Sequence, residues 1–139
     1  MTRPSPQEVR ATFALYNQAF YGNVLRPAIH WRRMRDYGCC YEPSGKWPYG
    51  LIVLSTMIPG DVHWEEILLH ESVHNYLDVL YPETDEYHRG AVAYHGAVFT
   101  EEANRIGRWL GMPEVDEEFA WCWPHCLRWN YNPQPQVHE

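Results

Sequence analysis

The chain has 139 residues, 45% of them hydrophobic, with 7 Trp and 10 Tyr, enough for one domain with a packed core and unlike the polar, aromatic-poor composition of disorder. Its formal net charge of -7 argues against a broad phosphate-binding surface, because nonspecific nucleic-acid affinity comes mainly from Lys and Arg neutralising phosphates. Met1 to Val9 lacks the apolar run of a secretory signal, and no stretch approaches the roughly eighteen apolar residues that span a bilayer, so a soluble, cytoplasmic protein with no membrane partner is expected.

Ser5 and Glu8 form a capping-box pair around Pro6, which suits the first helical position, and together they open a helix. Val9, Phe13, Tyr16 and Phe20 then recur on one face, and Gly22 ends the segment. Ala28 to Arg32 and Tyr37 to Glu42 read as short strands, separated from the next element by the Pro43-Ser44-Gly45-Lys46 loop. The apolar, β-branched run Gly50 to Ser55, closed by Pro59-Gly60, is the clearest strand. Asp61 reads as the N-cap of a second helix with Glu65 and Glu66 near its positive end and Ile67, Leu68, Leu69, Val73 and Leu77 as apolar surface. It should stop before Tyr81-Pro82, because the residue before a proline avoids helical geometry.

A polar loop, Glu83 to Arg89, leads to a last helical pattern that carries His95, Phe99, Glu102 and Ile106 on one face and closes at Gly111 before Pro113. Acidic Glu114 to Glu118 follows, and Asn132 to Glu139 reads as a weakly ordered tail. Strands followed by helices point to an α+β domain: an N-terminal helix, a small three-stranded sheet, then two helices gathered on one face of it. The expected division is 4–113 for the domain and 114–139 for a C-terminal extension.

His70-Glu71-Ser72-Val73-His74 is an HExxH on the second helix. Residues four apart share a helix face, so both imidazoles can reach one ion, and Glu71 beside them can take a proton from a zinc-activated water. With 8 His among 139 residues, such a pattern arises by chance in roughly four per cent of comparable chains, so context has to carry the assignment. A catalytic zinc takes three protein ligands and keeps an open position. The metzincin third His would fall at residue 80, which is Leu80 and excludes that pattern. His95 is the better candidate, with Asp85, Glu101 and Glu102 as rivals.

His95-Gly96-Ala97-Val98-Phe99, followed by Asn104-Arg105-Ile106-Gly107, resembles the HGxxF element of SprT-like (Spartan-related) metalloproteases. Tyr16 to Gly22 with Leu25 is similar to the family's first helix and its ending, and Ile29-His30-Trp31, Gly38-Cys39-Cys40-Tyr41 and Ile52 to Ser55 follow its strands in order, so the likeness covers about residues 9 to 112. The resemblance implies a zincin-like minimal metallopeptidase, a zinc endopeptidase with His70, His74 and His95 as ligands and Glu71 as general base. It also implies action on DNA–protein crosslinks. The acidic balance and the lack of a second cysteine pair after Cys122 and Cys126 disfavour nucleic acid as a partner and leave a protein or peptide substrate. A catalytically silent zinc-stabilised binding module is the competing class.

Further candidates have narrower readings. Asp78 could orient His74 through its free ring nitrogen, although a solvated helix surface is the simpler expectation. Tyr87, His88 and Tyr94 could donate to a tetrahedral oxyanion. Cys122, His125, Cys126 and His138 offer zinc-type donors, but the spacing lacks a partner knuckle, so buried thiols rather than a second, structural ion are expected there. Arg32, Arg33 and Arg35, with Arg26 nearby, read as a solvated strand face. The strand Leu51 to Ser55 is the expected platform for an extended peptide, paired along a free edge.

Overall fold

A computed structural model describes residues 3–82 and 95–125, which fall into two compact units, Met1–Pro82 and Glu83–Glu139. The architecture is α+β, with three helices and one small mixed sheet among the described residues. None of these helices is long and apolar enough to cross a membrane.

In the first unit, helix α1 (Pro6–Phe20) starts as its local sequence dictates. The Ser5 N–H donates to Glu8 Oε1 at 2.7 Å and the Glu8 N–H donates to Ser5 Oγ at 3.1 Å, so the capping box is closed in both directions with Pro6 in the first turn. Val9 and Phe13 are its buried residues, while Gly22 and Asn23 take left-handed backbone just past the end and turn the chain away.

Strands β1 (Ala28–Arg32), β2 (Gly38–Tyr41) and β3 (Leu51–Ser55) pair in the order β1-β3-β2, with β1 parallel and β2 antiparallel to β3. Every residue of β3 is buried, as a continuous apolar run requires when a strand is covered on both faces. This order corrects the expectation that β3 offers an edge to a peptide. β3 is central and hydrogen-bonded on both sides; the edges are β1 and β2.

Helix α2 (Trp64–Leu80) packs on β2 and β3, and α1 packs on α2. Tyr16 donates its hydroxyl to the Glu65 carbonyl at 2.9 Å, Tyr21 and Ser72 share a buried hydroxyl pair at 2.8 Å, and Tyr21 and Tyr76 meet with ring centroids 4.9 Å apart. The start of α2 differs from expectation. The N-cap is His63 with extended backbone and no side-chain cap bond, because Asp61 lies inside a turn closed by the Val62 N–H on the Pro59 carbonyl at 3.0 Å. Its end at Leu80 matches the stop imposed by Pro82.

In the second unit, α3 (Ala97–Leu110) buries Phe99, Ala103 and Ile106 and ends at Gly111 in left-handed geometry (φ 73°). Asn104 clamps the following chain: its Nδ2 donates to the Val115 carbonyl and its Oδ1 accepts from the Val115 N–H, both at 2.9 Å. A 3-10 turn, Ala120–Cys122, then delivers the fully buried Trp123 edge-on to Phe99 at 6.4 Å. The expected tail, Asn132 to Glu139, lies outside the described residues.

Candidate metal centre

Residues 70–74 lie in the middle of α2, so the helix repeat sets the geometry. His70 is buried and His74 half-buried, on one face, with ring centroids 5.1 Å apart and planes at 64°. Glu71 is buried beside them, only 5% exposed. Burial, reinforced by the negative charges of Asp78 and Asp36, pushes its carboxyl up to about 8. Such a carboxyl holds a proton near neutral pH and gives it up when positive charge is brought close, the behaviour asked of a proton-transfer group.

In the second unit, His95 is half-buried and lies two residues before α3, with Gly96 as the N-cap. That corrects the expectation that it sits on the helix face. The backbone at Gly96 is non-helical (φ -81°, ψ -149°), and His95 meets Phe99 ring edge to face at 4.9 Å. Burial lowers its pKa to about 4, which keeps the imidazole neutral with a lone pair to donate. His70, His74 and His95 are a group of three histidines that could hold a metal ion. As a donor set, three imidazoles are a nitrogen shell of the kind that suits a transition metal such as zinc, copper, iron or nickel.

The rival ligands fare differently. Glu102 is held by Arg105 at 2.7 Å and Glu101 is exposed, while Asp85 and the oxyanion candidates Tyr87, His88 and Tyr94 lie outside the described residues. Asp78 is more than solvated surface. Its Oδ2 accepts from the Cys40 thiol at 3.7 Å, and burial raises its carboxyl to about 7 despite that bond. Cys40 in turn is pushed well above its ordinary range, by burial first and then by Asp78, so it is a protonated donor rather than a thiolate. Cys122 is buried and donates to the Phe119 carbonyl at 3.1 Å; Cys126 and His138 lie outside the described residues. Arg32, the last residue of β1, lies over the Tyr41 ring and Arg26 over Tyr49, and Arg33 and Arg35 are exposed; only Arg32 is on a strand, so the four arginines are solvated but do not form one strand face.

Two parts of this neighbourhood belong to no motif in the sequence. Asn75, directly after His74, is fully buried and donates to the Tyr49 carbonyl at 3.0 Å, while its Oδ1 has no hydrogen-bond partner. Gly38, the first residue of β2, lies against Ile67 and Glu71. An isolated glycine within a strand is the signal that marks such a close approach.

No family model matches the sequence, and no curated protein and no solved structure matches the chain.

Proposed function

We propose that this chain is a zinc-dependent endopeptidase of SprT-like, zincin-like type, in which His70, His74 and His95 hold the ion and Glu71 is the general base. The observation that carries the reading is the group of three histidines with a buried carboxyl one residue from the first of them. Zinc, when bound there, supplies a Lewis acid that activates water and polarises the scissile carbonyl. Glu71 accepts the proton from the attacking water as its oxygen adds to the carbonyl carbon. It then delivers that proton to the amine nitrogen as the C–N bond breaks. Burial keeps His95 neutral, the form in which an imidazole donates its lone pair.

The substrate platform passes from β3 to β2. Ser55 of β3 donates to the Tyr37 carbonyl at 2.8 Å, so residues 37, 39 and 41 are the members of this antiparallel ladder that turn inward. Gly38 and Cys40 therefore turn their N–H and C=O groups to the edge that no strand among the described residues occupies, where an extended peptide can add as a further strand by main-chain hydrogen bonds. Such binding predicts broad side-chain tolerance and an unfolded or flexible protein as substrate.

The test is hydrolysis of an unfolded protein by the zinc-loaded chain, with Glu71→Gln and chelator-treated protein alongside. The parent is expected to cleave. Glu71→Gln is expected to keep about one zinc per chain and lose turnover. Bound zinc with no hydrolysis in the parent refutes the peptidase and favours the silent binding module.

A further inference from the structure

Ile67, Glu71 and Asn75 recur at i, i+4 and i+8, a stripe on one side of α2, and two glycines of the β2–β3 region lie against it. A methyl group on Gly50 would come within 2.5 Å of Asn75 Nδ2, and Gly50 also has left-handed backbone (φ 90°), so its conformation alone demands glycine. Gly38 is the more informative of the two. Its backbone is ordinary extended strand, yet a methyl there would lie 2.9 Å from Ile67 Cγ2, 3.1 Å from the Val53 carbonyl oxygen and 3.2 Å from Glu71 Cγ. The reason for glycine at 38 is therefore contact with α2 and β3 and not backbone strain.

Resting on the peptidase reading, we infer that Gly38 is a positioning residue for Glu71: the bare backbone of β2 forms the wall against which the Glu71 side chain is set. Three features make the wall stiff. Val53 is in the central strand, paired on both sides, so its carbonyl cannot retreat. Ile67 is buried in the α2 face, and a packed core yields only by small shifts. Asn75, bonded to the Tyr49 carbonyl one helical turn further on, holds α2 in register with the sheet. Of the three atoms around a new methyl, Glu71 Cγ is the one that moves the carboxylate when it gives way. β2 is also the edge strand proposed to carry the substrate, so the same residue fixes the distance between the peptide backbone and the proton acceptor.

The experiment uses the full-length zinc-loaded protein with Gly38→Ala made in the parent and in Glu71→Asp, whose shortened acid is expected to retain residual turnover. The expected result is unchanged zinc content, a kcat lower by about 10- to 100-fold in the parent background at similar KM, and little further loss in the Glu71→Asp background. A crystal structure of the variant should show the Glu71 carboxylate displaced by a few tenths of an ångström or more. Parent-like kcat, or an equal loss in both backgrounds, overturns the inference, because a merely structural glycine acts independently of Glu71. If the parent hydrolyses nothing, the peptidase reading fails, and the crystal structure alone decides the positioning: a displaced Glu71 sustains it and an unmoved one overturns it. If Gly38→Ala does not fold, Gly38→Ala with Ile67→Ala removes the closest contact and leaves the one to Glu71 Cγ for the same measurements.

Discussion

Replacing Glu71 with Gln in metal-stripped protein isolates the energetic cost of a buried carboxyl. Burial raises Glu71 from 4.5 to about 8 in the folded chain. At about 1.4 kcal/mol for each tenfold change in acidity, the ionised side chain costs up to about 5 kcal/mol, a large share of the 5 to 15 kcal/mol of an ordinary domain. The sign follows from linkage. Between pH 4.5 and about 8 the folded state binds more protons than the unfolded state. The contribution of protonated Glu71 is therefore fully present below pH 4.5 and lost as pH rises through about 8. Asp78, raised to about 7, adds in the same direction, whereas His95, lowered to about 4, removes stability as pH falls from 6.5 through 4. The carboxyl effect is cleanest between about pH 6.5 and 8.5. Urea unfolding across that range in the presence of chelator should show the parent losing stability steeply and Glu71→Gln losing much less. Zinc should restore the parent most at the alkaline end, because positive charge nearby favours the ionised carboxyl. Parallel curves for parent and variant would refute a desolvated Glu71.

Three further outcomes are expected. His70→Ala, His74→Ala and His95→Ala should each weaken zinc retention by more than the roughly 10- to 100-fold typical of an outer-shell partner, read by metal analysis after dialysis against a competing chelator; retention unchanged in His95→Ala returns the third-ligand role to the rival carboxylates. Ser5→Ala should cost about 1 kcal/mol in urea unfolding without changing zinc content, because it opens the capping box at the start of α1. Asn75→Ala should cost about 1 kcal/mol and lower the thermal midpoint, because it removes the part-buried hydrogen bond that the Asn75 amide donates to the Tyr49 carbonyl.

The legible parts of the fold were those written in short stretches of chain. Ser5, Pro6 and Glu8 specify the start of α1 through bonds spanning three residues, and Pro82 and Gly111 stop α2 and α3 through the backbone of their immediate neighbours. The start of α2 departs from its local signal for the same kind of reason. Asp61 has good N-cap chemistry, but the Pro59–Val62 turn takes that residue first and postpones the helix to Trp64. His95 continues the spacing of Phe99 and Ile106 and so reads as part of the α3 face, yet Gly96 interrupts the helical backbone and leaves it before the first turn. Asp78 looked like surface because its partner, Cys40, is 38 residues away.

Local sequence alone specifies the pair His70 and His74 with Glu71 between them. Helix periodicity fixes their common side without reference to the rest of the molecule. Strand order was decided only in three dimensions: β3 became the centre of the sheet and β2 the edge, because pairing partners are chosen by which apolar faces can be covered together, a condition no local run encodes. The tertiary structure also raised the Glu71 carboxyl by excluding water from it and set Gly38 against its side chain. Burial and steric contact are properties of the assembled packing, and they convert a spacing of residues into a chemical environment.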